Sequence, residues 1–316
     1  MDNIEFFAPL GRAWNRMKVA LFQPFDLHKW FVVGFTAFLA GLADWNNGSS
    51  GSGSRDDWSF REFLGFPGRA WDWLIDHPGW FMLISFGVFV AIVIGLVLLW
   101  LSSRGKFMFL HNVVHDKAEV SHPWREYKKE GNSLFLWRLV FTLICFVFFA
   151  SLAIVFFVGA SQFYEDSFYD RVPVPFIIMI GLVFLVMIVI IGFISSFLDG
   201  FVVPIMYKHR LKATKGWGRF LSLFGKYPFH FLLFGLLMFV LIVLFVIFVI
   251  MAGLMTCCIG FIILIIPYIS TVVTLPVWYW LRGFSVEFLA QFGDDFDLFP
   301  APEAAPKKKK TAKATA

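Results

Sequence analysis

Long apolar runs dominate the chain, and short polar segments separate them. Five of these runs are long enough to cross a bilayer: 79–101, 134–160, 172–198, 229–255 and 259–281. Runs of about eighteen or more apolar residues read as transmembrane helices. A sixth run, 30–43, is short: at ~1.5 Å per residue it covers ~21 Å of a ~30 Å hydrocarbon core. It spans only by recruiting flanking residues, Leu27 and Trp45 among them, which widens it to about 28–45. The pattern predicts an all-α integral membrane protein with six transmembrane helices. Residues 1–299 form one polytopic domain, and 300–316 form a disordered Lys-rich tail.

The segments between the runs are amphipathic. On a helical wheel Phe7, Leu10, Trp14, Met17 and Leu21 share one face, with Arg12 and Arg16 opposite and Lys18 nearby. That suits a helix lying in the membrane interface. Trp217 opens a similar segment before the fifth run, and Phe284 and Phe288 fall one turn apart after the sixth. Helices two, four and six leave the membrane through a charge followed by glycine: Arg104–Gly105, Asp199–Gly200 and Arg282–Gly283. The reading is three pseudo-repeated hairpins, each preceded by a cytoplasmic interfacial helix, with Gly105, Gly200 and Gly283 as anchors. Parallel repeats imply pseudosymmetry about the membrane normal.

Charge sets the orientation. With six spans, twenty-two of the 27 Lys and Arg fall on the side of both termini, and Arg55, Arg61, Arg69 and Arg171 fall on the other. The positive-inside rule then places both termini in the cytoplasm. Arg138 is the one cation inside a run, a turn from the cytoplasmic end, where it is expected to snorkel to the headgroups. Lys307, Lys308, Lys309 and Lys310 add attraction for anionic lipid headgroups of roughly 1 kcal/mol each.

Composition agrees: 59% of residues are hydrophobic and 16% charged, against about a quarter in soluble domains. The three cysteines have no zinc-knuckle spacing, and no signal-peptide pattern precedes the first run. Metalloprotease, nucleophile-elbow and Walker motifs are missing, so no enzyme and no cofactor is expected. Nothing points to nucleic acid. The segment "HNVVHDKAEVSH" supplies the only metal candidates, His111, His115, Asp116 and His122. His122 precedes Pro123, and the other two units carry "YKHRLK" and "FLAQFG" at the same point. The histidines are therefore read as juxtamembrane anchors and no metal is assigned. In the last run Pro267 and Pro276 are expected to kink or break the helix. Ser270, Thr271 and Thr274 beside them serve helix packing or, alternatively, a substrate path.

"LFQPF...KWF" at 21–31 and "PYISTVVTLPVWYWLRGFSVEFLAQFG" at 267–293, with the alternating amphipathic segments, resemble a broad group of uncharacterised prokaryotic multi-pass proteins. That group is similar to the membrane domain attached to some glycerophosphodiester phosphodiesterases. The resemblance covers roughly 6–299 and implies a prokaryotic cytoplasmic membrane location. It does not carry phosphodiesterase activity across: the His-Arg-Gly motif is missing, since Leu211 follows His209–Arg210. The expected function is a non-enzymatic scaffold binding lipid or a membrane or cytoplasmic protein partner. The alternative is a transporter or flippase for a neutral or lipidic substrate, with a path near helix six.

Overall fold

The computed structural model describes residues 4–44, 60–166, 174–256, 260 and 264–299. Among the described residues the regular structure is helical throughout. The elements are α1 (Phe7–Phe22), α2 (Leu27–Gly41), α3 (Phe60–Asp76), α4 (Pro78–His115), α5 (Ser121–Glu126), α6 (Lys128–Asp166) and α7 (Val174–Phe197). A π-helical turn (Leu198–Val202) leads into α8 (Val203–His209), α9 (Ala213–Lys226), α10 (Pro228–Met255) and α11 (Pro267–Ala290). Prolines open α4, α10 and α11, where the missing N–H has no partner to lose.

Four helices are long and apolar enough to cross a membrane: Pro78–His115, Lys128–Ala160, Val174–His209 and Pro228–Met255. Few or none of the residues in their most apolar stretches are buried inside the protein, so their outward faces suit lipid. They are also longer than a bilayer requires. α4 has 38 residues, about 57 Å at 1.5 Å each, against a ~30 Å core. The excess forms a base: Phe107, Leu110, Phe201, Phe231, Phe234, Phe284 and Phe288 are at most 1% exposed there. Phe201 stacks on Phe220 and meets Phe231 and Phe234 edge-on or tilted, each at 4.9 Å. α9 joins this core through Ala213, Gly216, Phe220 and Leu223, a three-to-four-residue stripe.

Several expectations meet a different arrangement. The first expected span, 28–45, is the fifteen-residue α2, and it runs antiparallel to 102–116 of α4 rather than along 79–101. Lys29 pairs with Asp116 at 2.8 Å, Asn112 donates to Thr36 at 3.2 Å, and Ser102 donates to the Ala40 carbonyl at 2.7 Å. A helix of about 22 Å finds a better-matched partner in the short extension than in the long span. Of the last expected span, 259–281, residues 259 and 261–263 lie outside the described residues and 267–281 fall on α11, whose first half packs on α2: Tyr268 donates to the Phe31 carbonyl at 2.9 Å and Val272 sits over Gly34. Neither α2 nor α11 is among the four spanning candidates. Pro267 does start a helix, but Pro276 lies inside α11 without ending it.

Phe284 and Phe288 are not interfacial anchors. Both are fully buried in the base, because α11 is covered by α1 on one side and by Phe234 on another. Arg138 does not snorkel either. It is 9% exposed and finds its partners inside the protein. The buried face of α1 is Pro9, Ala13, Met17, Ala20 and Leu21, which leaves Phe7 and Trp14 outward. Lys307, Lys308, Lys309, Lys310 and Trp45 lie outside the described residues.

Candidate functional site

Two polar clusters occupy the base, and both grow from the extension of α4. The first lies where the apolar stretches end. Lys106 is 5% exposed, and its Nζ lies 2.5 Å from Asp199 Oδ2 and 3.1 Å from Asp44 Oδ2. The π turn places Asp199 there. A turn one residue wider than the α-ladder is a common device for aiming a side chain. Arg138 Nη2 pairs with Asp44 Oδ1 at 2.9 Å and its Nη1 donates to Ser102 Oγ at 3.0 Å. Arg282 Nη1 donates to the backbone carbonyl of Asp199. Two cations, Lys106 and Arg138, thus pair with the two carboxylates, and a third, Arg282, binds the Asp199 main chain beside them. Asp199 Oδ1 and Arg282 Nε are buried with no hydrogen-bond partner, which makes this an electrostatically tense joint between α2, α4, α6, α11 and the π turn.

The second cluster lies at the far end of the α4 extension. His111 is 6% exposed, and its Nδ1 shares a hydrogen bond of 2.9 Å with the Tyr207 hydroxyl. His115 stacks on it at 4.4 Å between ring centres and reaches the same hydroxyl at 3.3 Å. Asp116 then turns the chain in a left-handed conformation, φ 54°. The turn returns Glu119 and His122 to the His111 ring. Glu119 Oε2 is 3.9 Å from His111 Nε2 and 3.8 Å from His122 Nδ1. Burial, and next the neighbouring His115, pull the His111 pKa down to about 4, so its ring is neutral at physiological pH. Burial pushes the Tyr127 phenol up. Its ring stacks on Tyr207 at 4.5 Å, and the Arg210 guanidinium lies over it at 3.9 Å.

The sequence-predicted residues distribute as follows. His111 and His122 come together, joined by Glu119, which spacing alone did not single out. Asp116 is taken by Lys29. The signal that finds Glu119 is the helix-ending turn at Asp116, not a helical repeat. Arg12 and Arg16 leave the basic face to bind Glu287 at 2.7 and 2.6 Å, and Glu287 is 4% exposed. Lys18 lies over the Trp14 ring. Trp217 stacks on Trp137 at 5.2 Å. Thr271 donates back to the Pro267 carbonyl and Thr274 to that of Ser270, so these hydroxyls are satisfied within their own helix. Of the three anchor glycines, Gly105 marks a close approach. A Cβ on Gly105 would fall 2.6 Å from the backbone of Leu39 and Ala40, whereas Gly200 and Gly283 face Ser285 and Ala13 at 3.6 and 3.5 Å.

A family model described as "Family of unknown function (DUF7544)" matches residues 6–286. No curated protein and no solved structure matches the chain.

Proposed function

Since the chain belongs to the DUF7544 family of unknown function, we propose its role from its own geometry: a non-enzymatic multi-pass scaffold of a prokaryotic cytoplasmic membrane. Its base engages anionic lipid headgroups or a protein partner. One observation carries the reading: four bare apolar helices converge on a single base assembled from their own extensions and the amphipathic α1 and α9. Almost no residue in their most apolar stretches is buried in protein, so their outward surface is made for lipid.

Two finer elements belong to the same reading. The first is topology. Glu5 and Gln291 exchange two hydrogen bonds of 2.9 Å, and Arg12 and Arg16 hold Glu287. The two ends of the described chain therefore meet, which supports an even number of crossings. Charge asymmetry favours the base in the cytoplasm. Four helices are long enough to cross, and six crossings require α2 and the start of α11, packed on each other through Gly34–Val272 and Tyr268–Phe31, to cross as a pair. The second is the repeat. Residues ten or eleven past each anchor glycine, Asp116, Arg210 and Gly293, carry positive φ of 54°, 53° and 123°. Two exit helices, α4 and α8, stop on a left-handed residue, whereas α11 stops at Gln291 in a right-handed conformation and Gly293 follows in a different, extended one. The shared stop supports a repeat of the first two units, and the third rests on its Arg282–Gly283 signature.

The test is thermal unfolding of the whole protein in nanodiscs of zwitterionic lipid, with and without anionic lipid. The expected result is a higher melting temperature with anionic lipid, lost at high salt as surface attraction is screened. A melting temperature indifferent to lipid charge rejects lipid engagement.

A further inference from the structure

We propose that His111, Glu119 and His122 form a binding site for a divalent first-row transition-metal ion, with zinc as its reference ligand. It goes beyond the scaffold reading and stands independently of it, since it needs neither lipid nor a partner.

The ligand set is the first argument. Two imidazoles and one carboxylate suit zinc and its neighbours rather than calcium or magnesium, which prefer oxygen. One ligand atom from each residue lies within 4.8 Å of the other two. The geometry is the second argument. The His111–Glu119 and His122–Glu119 separations, 3.9 and 3.8 Å, are too long for hydrogen bonds. Neighbouring ligands around a tetrahedral ion with ~2.0–2.1 Å bonds stand roughly 3.3 Å apart. An ion at the centre therefore needs an inward movement of about half an ångström from each ligand, not a new fold.

The third argument is that the ligands are already held. Tyr207 binds His111 Nδ1 and so aims Nε2 at the site, the arrangement that fixes tautomer and ring direction in metal centres. The Glu119 amide donates to Asn112 Oδ1 at 3.1 Å, which pins the returning loop to α4. Lys117 occupies the other Glu119 oxygen at 3.5 Å and leaves Oε2 for the ion. Glu126 stands 3.4 Å from His122 Nδ1, with its second oxygen held by Arg210. The side chains of Glu119 and His122 are 38% and 64% exposed, so an ion reaches them from solution. Bound there, it would clasp the end of α4 to the start of α5.

The full chain, stripped of metal by chelation in detergent, is titrated with Co2+ and followed by visible absorption, with Zn2+ as competitor. Native mass spectrometry counts the ions per chain. The expected result is one equivalent of Co2+, displaced by Zn2+. Glu119→Gln and His122→Gln, both at exposed positions, are each expected to weaken binding about tenfold or more, and Tyr207→Phe about tenfold through ring orientation. His209→Gln, away from the site, is expected to bind as wild type. The proposal is overturned if the wild-type chain takes up no stoichiometric ion. It is overturned equally if either Glu119→Gln or His122→Gln binds as the wild type does.

Discussion

Lys106 has two carboxylate neighbours, and the closer one is the more consequential. Asp199 at 2.5 Å comes from the π turn, whose backbone carbonyl at the same residue also accepts from Arg282. Asp199→Asn removes one of two negative charges among three cations and leaves Lys106 nearly buried with Asp44 alone. The expected loss is about 2–3 kcal/mol in chemical unfolding. That is less than for a fully buried pair, because Asp199 keeps a third of its side chain in contact with solvent. The double change Lys106→Met with Asp199→Asn is expected to recover part of that loss, since it strands no charge. Arg138 shows why such residues are hard to read. Its position a turn inside an apolar run is compatible with snorkelling. Only the return of α2 to the same level, bringing Asp44 to 2.9 Å, converts it into a paired group. The grouping of Glu119 with His111 and His122 was illegible in the sequence for a related reason. His111 and His115 were found because they are four apart on one helix. Glu119 and His122 reach His111 through a left-handed turn at Asp116, and no helical spacing announces that.

The helices divide by how they use their apolar residues. Where burial is in lipid, hydropathy suffices: runs 79–101, 134–160 and 229–255, and the described part of 172–198 from Val174 on, lie on helices able to cross a membrane. Where burial is in protein, it does not, because an apolar helix is equally content on a neighbour. α2 and α11 are the cases in point, joined through Gly34–Val272 and Tyr268–Phe31. The anchor glycines were legible as a repeated signature, and their packing now separates them. Gly105→Ala forces a Cβ onto the α2 backbone and is expected to cost about 1–3 kcal/mol, as overpacking does. Gly283→Ala meets Ala13 at ordinary contact distance and is expected to be neutral or slightly stabilising, by removing helical glycine entropy. Thermal melts of the two variants in one detergent check the contrast.

At the scale of the molecule, α1 closes the base by laying its basic residues on the end of α11. Glu287 is the keystone, since both arginines bind it and its own side chain is 6% exposed. Arg12→Ala with Arg16→Ala is expected to free α1 and expose 4–22 to limited proteolysis, while Arg12→Lys alone leaves the cleavage pattern unchanged. On the proposed reading, the apolar spans around this base sit in lipid, and the basic loops and the Lys307–Lys310 tail would favour the anionic leaflet. Replacing Lys307, Lys308, Lys309 and Lys310 by alanine is expected to reduce the stabilisation by anionic lipid without lowering stability in neutral lipid.

The most direct measurement of the central claim is native mass spectrometry of the whole protein, gently extracted from its own membrane. The account predicts a chain that keeps anionic phospholipids in preference to zwitterionic ones, or that leaves the membrane with a second protein subunit. A lone chain carrying one stoichiometric neutral small molecule, with no preference among phospholipids, would contradict it and favour transport instead.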